Sequence, residues 1–327
     1  MRTSFLHLAD LRLGYRDPAD EAVFGLAAQR FRFAVDFAVD QRASFVVFSG
    51  NLFDAPDVEP DTLHVALRGL SLLAEKNISA IGIRGRSDVR HQPGVMSWYD
   101  MLGQEGLLAS LEPQVQDRQI GLERWDRRTG RGGFMDMTRC RVFGLHYYGS
   151  LTGALLQVLA RSIADLDNRE TDFRILLLHS SLEHTSDRFG PALAYSDLLL
   201  LRRQIDYVGL GGAEAPREVE GWAFDPGPDG FYHVMVDTAV QPKFQARHVP
   251  FPASLAIARP RAPEQRMRRA DEEEMVFDEL VAALPGSDQQ RVRERDVLRL
   301  VTRSMWAGAD PAELNARALE AASGDAA

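Results

Sequence analysis

Four side chains suited to binding a divalent cation come shortly after apolar runs that are typical of β-strands. Asp10, Asp88 and Glu214 supply carboxylates, and His179 supplies an imidazole. Carboxylate oxygens suit magnesium and manganese, so the four side chains together would form one oxygen-rich cation site. A structural interpretation stands beside this one. Asp10 and Asp54 also fit turn-capping roles, and a histidine at a buried strand end is typical of a protein core.

Arginines stand among these candidate ligands. Arg12 lies two residues after Asp10, and Arg86 and Arg90 flank Asp88. A guanidinium has no acceptor atom and stays protonated in proteins. Its repulsion of a unit charge at ~4 Å is ~4 kcal/mol at an effective dielectric of 20, and it doubles against a divalent ion. We therefore expect the arginines either to form salt bridges or to bind a phosphate bidentately. Their candidate partners are Asp10, Asp54, Asp88 and Glu214.

A buried strand places the central part of this pattern. The run 45–48 is apolar and rich in β-branched and aromatic residues, as in a strand covered on both faces. It ends at Gly50, which permits a sharp turn. Ligands of open α/β sheets gather at the carboxyl ends of strands. Asn51 and Asp54 should therefore project into the crevice at that edge.

Strands and helices alternate over most of the chain, which predicts an α/β fold with parallel strands followed by an antiparallel pair. Helical spacing predicts several helices, one of them over 98–108. The loop 84–91, which follows the predicted strand 78–83, is basic. That loop is either a phosphate-binding loop or a solvated surface. The predicted strands cover 4–8, 45–48, 78–83, 141–145, 174–179, 206–210, 232–236 and 244–249.

The bulk composition fits one large globular domain with an appendage. The chain has 327 residues, 45% hydrophobic and 26% charged, with a net charge of −9. We divide it into a domain over 1–250, a proline- and arginine-rich linker over 251–270 and a helical segment over 271–327. One cysteine, Cys140, fits a reducing cytoplasm, and no apolar run reaches the ~18 residues of a membrane span. The acidic charge disfavours indiscriminate coating of DNA.

The strand-end motifs, in this order, resemble those of the calcineurin-like metallophosphoesterases, most of all the SbcD-type DNA repair exonuclease subunits. The family motifs read Asp-x-His, Gly-Asp-x-x-Asp, Gly-Asn-His-Asp, a lone His and Gly-His-x-His. Here they stand as Asp10-Leu-Arg12, Gly50-Asn-Leu-Phe-Asp54, Gly85-Arg-Ser-Asp88, His179 and Gly211-Gly-Ala-Glu214. The resemblance covers about residues 1–250. It implies an α/β sandwich of mixed β-sheets flanked by helices.

The family site holds two metal ions, usually manganese or iron, which activate a water molecule. Of the ligand positions that the resemblance implies, Asp10 and His179 keep the family residue. The others depart from it: Arg12, Gly212 and Glu214 replace histidines, Asn51 replaces the bridging aspartate, Arg86 replaces an asparagine and Ser87 replaces the catalytic histidine. We therefore predict that the paired-metal site and catalysis are absent and that no cofactor is bound.

Three hypotheses follow. In the first, the chain is an inactive nuclease-like subunit that acts as scaffold or regulator of a DNA-processing, repair or defence complex. In the second, it is an active exonuclease or phosphodiesterase with a rebuilt Mn²⁺ or Mg²⁺ site at Asp10, Asp88, His179 and Glu214. In the third, Arg12, Arg86 and Arg90 bind phosphate or DNA ends without catalysis. The resemblance implies an SMC-like ATPase partner, DNA and a homodimer, and no membrane.

Overall fold

The computed structural model describes residues 1–16, 24–89, 96–116, 119–166, 170–182 and 193–255. Most of the predicted linker and all of the predicted helical segment over 271–327 lie outside these residues, as does Arg90. None of the described helices is long and apolar enough to cross a bilayer.

The first of two six-stranded sheets is mixed. Its strands β1 to β4 run parallel, β13 pairs antiparallel with β1, and β14 pairs antiparallel with β13. The strands, in spatial order, are β14 (Phe244–Pro250), β13 (Gly230–Asp237), β1 (Arg2–Leu8), β2 (Phe45–Ser49), β3 (Ser79–Ile83) and β4 (Ala109–Ser110).

The second sheet is also mixed. Strands β8, β9, β10 and β12 run parallel, and β7 and β11 are antiparallel edge strands. In spatial order they are β11 (Arg217–Val219), β12 (Ala223–Asp225), β10 (Tyr207–Gly211), β9 (Phe173–His179), β8 (Cys140–Leu145) and β7 (Phe134–Met137). A separate two-stranded ribbon consists of β5 (Gln114–Gln116) and β6 (Gln119–Gly121).

Helices cover the outer face of each sheet. They are α1 (Phe24–Asp40), α2 (Pro60–Glu75), α3 (Trp98–Gln104), α4 (Thr152–Asp165) and α5 (Tyr195–Leu199). Residues of α1, α2 and α3 share one core cluster with the first sheet, and residues of α4 and α5 share another with the second sheet. A third cluster lies between the sheets and joins residues of both. The predicted sandwich of two mixed sheets flanked by helices is therefore confirmed.

The period of two along a strand explains why the buried parts of β1 (5–8) and β2 (45–48) are mostly apolar on both faces. In β1, Leu6 and Leu8 pack toward the helices, whereas Phe5 packs into the cluster between the sheets. In β2, Phe45 and Val47 likewise face the second sheet. Both faces of these strands are covered, so neither alternates with polar residues as a solvent-facing strand would.

One predicted element is too long. The helix expected over 98–108 ends at Gln104, and Ala109–Ser110 joins the first sheet as β4. The reason is Gly106, which has a φ of 69° and so turns the chain out of the helix. Because the helix ends early and β4 follows, Glu112 lies just beyond β4, at the edge where the candidate site lies.

Candidate functional site

The candidate site is the edge at which strand ends from both sheets meet, called here the strand-end rim. It is defined by Asp10, Asn51, Ser87 and Gly212, which follow β1, β2, β3 and β10, and by His179, the last residue of β9. Hydrogen bonds between these segments show that the structure gathers them in one place. The prediction that these motifs share one sheet edge is thus confirmed, with the refinement that the edge is built from two sheets.

Asp10 and Asn51 form the centre of the rim. The Asn51 amide nitrogen donates to Asp10 Oδ1 at 2.7 Å, and the backbone nitrogen of Gly212 donates to Asp10 Oδ2 at 2.8 Å. Both oxygens of the carboxylate therefore have a neutral donor. Asp10 and Asn51 are 7% and 3% exposed, so these bonds form away from bulk water.

The backbone is bent to bring the two side chains together. Asp10 and Asn51 have φ values of 53° and 52°, in the left-handed region that aspartate and asparagine tolerate better than most residues. The Asp10 nitrogen donates to the Gly50 oxygen at 3.1 Å, and the Arg12 nitrogen donates to the Asn51 oxygen at 2.9 Å. These bonds fix the loop after β1 on the loop after β2.

The loop after β3 closes the rim from a third side. Asn51 Oδ1 accepts a hydrogen bond from the Ser87 backbone nitrogen at 2.8 Å. Gly85 approaches so closely that a Cβ there would lie 2.3 Å from the Asn51 nitrogen, which excludes any other residue without a shift of the backbone. The Asn51 amide thus uses its nitrogen on Asp10 and its oxygen on Ser87, and it bridges two loops.

His179 lies beneath these loops as a neutral histidine. Its Nδ1 is 2.8 Å from the Ser49 carbonyl oxygen. A carbonyl can only accept, so this contact assigns the proton to Nδ1 and a lone pair to Nε2. Burial lowers the pKa of His179, although nearby Asp10 acts in the opposite direction. The ring of Tyr147 lies edge-on to it, with centroids 5.9 Å apart.

The Asp88 carboxylate accepts hydrogen bonds from the backbone of two loops. Its Oδ1 accepts from the Phe53 nitrogen at 2.9 Å and its Oδ2 accepts from the Gly85 nitrogen at 2.8 Å. Burial raises the pKa of Asp88 to about 7, against the effect of these backbone bonds. Both oxygens therefore hold together the loops after β2 and β3, a role that the sequence analysis did not predict for Asp88.

The remaining predicted residues lie at the outer margin of the rim. Arg12 Nη1 is 4.0 Å from Asp54 Oδ1, with side chains 38% and 17% exposed, so the predicted salt bridge between Arg12 and a neighbouring carboxylate is confirmed at Asp54. Arg86 is partly buried at the start of the 3₁₀ turn Arg86–Asp88, and Glu214 is partly buried after β10. Gly212 has a φ of 114°, which suits glycine.

The residues of the rim do not fit the metal pair that the family resemblance implies. The two Asp10 oxygens and the Asn51 side-chain oxygen already accept hydrogen bonds from within the protein. Arg12 adds a permanent positive charge nearby. Within the described part of the chain, no three His, Cys, Asp or Glu side chains group together in a way that could hold a metal ion. The neutral Nε2 of His179 keeps the form of a metal ligand.

A second buried polar group, called here the Arg84 cluster, lies beside the rim and was not predicted. Arg84 Nη2 is 2.6 Å from Glu112 Oε2, and Tyr148 donates to Glu112 Oε1 at 3.1 Å. His146 Nδ1 accepts from the Arg84 backbone nitrogen at 2.8 Å, and its Nε2 is 3.5 Å from Glu112. The Arg84 side chain is 13% exposed.

For Arg84, the cluster contradicts both interpretations of the basic loop 84–91, as a phosphate-binding loop and as a solvated surface. Arg84 is neither a phosphate-binding nor a solvated residue, because its guanidinium pairs with Glu112. Burial raises the pKa of Glu112 although Arg84 opposes this, and burial lowers the pKa of His146 well below its usual value. No sequence signal pointed to Glu112, because β4 was not predicted and the preceding residues were assigned to a helix over 98–108.

Comparison with known proteins places the chain beside DNA repair proteins. It is 34% identical over 89 residues to the DNA double-strand break repair protein Mre11 of Methanococcus maripaludis. It is 31% identical over 104 residues to Mre11 of Archaeoglobus fulgidus and 30% identical over 115 residues to Mre11 of Methanosarcina mazei. These matches cover 26%, 32% and 35% of this chain but only 23%, 23% and 19% of the relatives.

No family model matches the chain. Among solved structures, it is similar to the calcineurin-like phosphoesterase YfkN from Bacillus subtilis, with a TM-score of 0.48 and 11% identity over 92% of this chain and 99% of that one. It is also similar to TT1561 of Thermus thermophilus, with a TM-score of 0.44 and 13% identity over 76% and 99%. The predicted resemblance to DNA repair nuclease subunits is supported by the Mre11 matches, and over 26% to 35% of its length the chain is similar to the Mre11 proteins.

Proposed function

We propose that the protein is a catalytically inactive subunit of nuclease-like fold that acts as scaffold or regulator of a DNA-processing complex in the cytoplasm. The observation that carries the proposal is the hydrogen bond from the Asn51 amide to Asp10 Oδ1. An amide donor stands where a shared carboxylate would be needed to hold two cations close together. The similarity to Mre11 DNA repair proteins supports the choice of DNA processing.

The partner in this proposal is an SMC-like ATPase, and the subunit would assemble as a homodimer. A scaffold needs a rigid fold but no reactive centre. The rim meets this condition, because Asp10, Asn51 and Asp88 each satisfy their side-chain acceptors within the protein. Co-expression with an ATPase of this class, followed by size-exclusion chromatography, tests the assembly separately from the chemistry.

Two measurements on the purified full-length protein test inactivity. Elemental analysis should find no stoichiometric manganese, iron or zinc, and labelled linear DNA should remain intact in the presence of manganese. A control variant, Asp10→Asn, should leave both results unchanged. Robust manganese-dependent cleavage that Asp10→Asn abolishes would reject the proposal in favour of the rebuilt single-metal enzyme. That alternative would use Asp10, Asp88, His179 and Glu214, although Asp88 binds two backbone nitrogens.

A second candidate function, the sensing of phosphate or DNA ends without catalysis, is favoured by Arg12. Its guanidinium is 4.0 Å from Asp54, longer than a normal hydrogen bond, and the side chain is 38% exposed. A phosphate could therefore compete for it. Binding of 5′-phosphorylated DNA in EDTA, compared between the wild type and an Arg12→Gln, Arg86→Gln variant, is the test. Unchanged preference for the phosphorylated end in the variant would dismiss this candidate.

A further inference from the structure

A basic hairpin takes no part in the proposed site, and its turn lies against the C-terminal end of α3, where a Cβ on Gly106 would be 2.6 Å from Arg127 Nε. Residues 124–131 read Arg-Trp-Asp-Arg-Arg-Thr-Gly-Arg and are called here the arginine hairpin. All four of its arginines are exposed, and the Arg124 side chain is 67% exposed. A protein with a net charge of −9 thus presents four positive side chains within eight residues.

The backbone of the arginine hairpin is fixed by its own hydrogen bonds. Asp126 Oδ1 accepts from the Arg128 nitrogen at 2.7 Å and from the Thr129 nitrogen at 3.1 Å. The Asp126 nitrogen donates to the Arg131 oxygen at 2.9 Å, and the Gly130 nitrogen donates to the Asp126 oxygen at 2.8 Å. The one acidic side chain of the hairpin therefore caps its own turn.

The hairpin is also anchored to the body of the domain. Trp125 packs against the core between the sheets, and its backbone nitrogen donates to the Phe134 oxygen at 2.7 Å. Gly132 lies so close that a Cβ there would be 2.3 Å from Trp125 Cα. An anchored loop has less conformational entropy to lose when its side chains bind a ligand.

The base of the hairpin is tied to the Arg84 cluster. The Glu112 nitrogen donates to the Gly132 oxygen at 2.9 Å, and the Glu112 side chain pairs with Arg84. Arg84 lies three residues before Ser87, which belongs to the rim. The base of the hairpin is therefore linked through Glu112 to the segment that leads into the rim.

Two acidic groups near the hairpin, Asp136 and Glu123, also contact residues outside it. Asp136 lies 3.6 Å from Arg124 but pairs more closely with Arg141, at 2.6 Å. Glu123 accepts a hydrogen bond from Gln114 at 3.0 Å. The hairpin itself carries four cations against Asp126, which leaves a local positive excess. Arginine is the cation best suited to bidentate phosphate contacts.

We infer that the arginine hairpin binds the phosphate backbone of duplex DNA without reading its sequence. This inference rests on the proposed role in DNA processing and adds a contact surface to it. Backbone contacts of this kind position a protein on DNA and make its affinity fall with salt, because each neutralised phosphate releases counterions. No reactive group is needed, so the inference is compatible with an inactive rim.

The test is binding of a fluorescein-labelled duplex of about 30 base pairs to full-length protein in EDTA, measured by anisotropy over a range of salt concentrations. The test variant changes the hairpin arginines Arg124, Arg127, Arg128 and Arg131 to Gln. The control variant makes the same change at four exposed arginines on other elements, namely Arg32, Arg68, Arg203 and Arg247. Both variants lower the net charge equally, so a difference between them reports position. Circular dichroism and melting curves verify the fold.

At ~100 mM salt we expect the hairpin variant to lose at least about tenfold in affinity and the control variant less than about threefold. The slope of log affinity against log salt should become shallower by about 3 for the hairpin variant alone, since each phosphate contact contributes ~0.9. Equal losses in the two variants, or no binding by the wild type, would overturn the inference. Polyglutamate competing as well as DNA of equal charge would also overturn it, in favour of an acidic protein partner. None of these outcomes alters the metal and cleavage measurements that test the proposed function.

Discussion

The strand-end rim and the Arg84 cluster each contain a carboxylate, and the two carboxylates have different kinds of partner. Each holds a carboxylate at the same edge of the sandwich, the buried Asp10 in one and the partly buried Glu112 in the other. Asp10 receives an amide and a backbone N–H, both neutral donors, whereas Glu112 receives the charged guanidinium of Arg84. The comparison shows that carboxylates at one edge of this fold receive either neutral hydrogen-bond donors or a charged partner.

The two groups also hold one loop between them. Asn51 accepts from the Ser87 nitrogen, and Glu112 binds the Arg84 side chain three residues earlier. Loss of either contact should loosen the same segment. The energetic cost should differ, because removing one partner of a buried ion pair leaves an uncompensated charge, while removing a neutral donor leaves a carboxylate that can still bind water or one remaining N–H.

The largest effect is expected for Arg84→Met, which breaks the Arg84 cluster. It leaves Glu112 partly buried without its cation, and we expect the free energy of unfolding to fall by about 3 kcal/mol. Urea unfolding followed by tryptophan fluorescence measures the change. Arg32→Met on the surface of α1, where the arginine is 84% exposed, is the matched control and should change stability by about 0.5 kcal/mol or less.

The double variant Arg84→Met, Glu112→Gln sharpens this result. It removes the stranded charge and should recover at least about 1 kcal/mol relative to Arg84→Met alone. If Arg84→Met were as mild as Arg32→Met, the ion pair would contribute nothing and the contrast between the two groups would fail.

A smaller effect is expected at the rim for Asn51→Asp, which replaces the neutral donor by a second carboxylate facing Asp10. In EDTA the free energy of unfolding should fall by about 2 kcal/mol, because one hydrogen bond to a charged group is lost and two like charges meet. Millimolar manganese should restore part of the loss, since a cation can then neutralise the pair. Thermal and urea unfolding with and without manganese provide the measurement.

Asn51→Gly is the control for the backbone. It removes the amide but accepts the φ of 52° that this position requires. Its stability should not respond to manganese, and neither should that of the wild type. A wild-type protein stabilised by manganese as strongly as Asn51→Asp would contradict the interpretation of the rim as closed by hydrogen bonds.

The smallest effect concerns pH and compares the two buried histidines. The pKa of His146 is lowered well below its usual value, by burial and then by Arg84, whereas Asp10 offsets part of the lowering at His179. A histidine with a lowered pKa in the folded state contributes stability above its unfolded pKa of ~6.5 and loses it as the pH falls. Acid should therefore destabilise the Arg84 cluster more than the rim.

His146→Asn tests this, because its amide oxygen can replace Nδ1 as the acceptor for the Arg84 nitrogen. Below about pH 6.5 the stability of the variant should depend less steeply on pH than that of the wild type, by up to ~1.4 kcal/mol per pH unit. Urea unfolding at several pH values gives the slope. The exposed His64 on α2 is the control, and a slope equally changed by His64→Asn would refute the assignment to His146.

Sequence reasoning was most successful where a local pattern carries the information. The apolar run at 45–48 predicted β2, and the gap to Gly50 predicted the turn that presents Asn51. It was less successful for the helix over 98–108, where a single glycine at a positive φ ended the helix early. Apolar residues at helical spacing continue past Gly106 in the sequence, but the backbone leaves the helical conformation there.

For the candidate site, the sequence identified the residues but not their partners. The pairing of Arg12 with Asp54 was among the predicted salt bridges, because the two residues follow neighbouring strands. The pairing of Arg84 with Glu112 was missed, since 28 residues and one edge strand separate them. The hydrogen bonds that Asp88 accepts from the Phe53 and Gly85 nitrogens were not predicted, because Asp88 was expected to bind a cation or an arginine.

The sequence by itself determined the chemical types at the strand ends: an amide at 51 and an arginine at 12 in place of the residues that the family resemblance implies. Those types fix charge and hydrogen-bonding capacity wherever the side chains lie. Only the tertiary structure decided that the amide of Asn51 meets Asp10 and the Ser87 nitrogen, because these contacts join segments 41 and 36 residues apart. Directional contacts of this kind depend on distances of a few tenths of an ångström between loops, which no local pattern encodes.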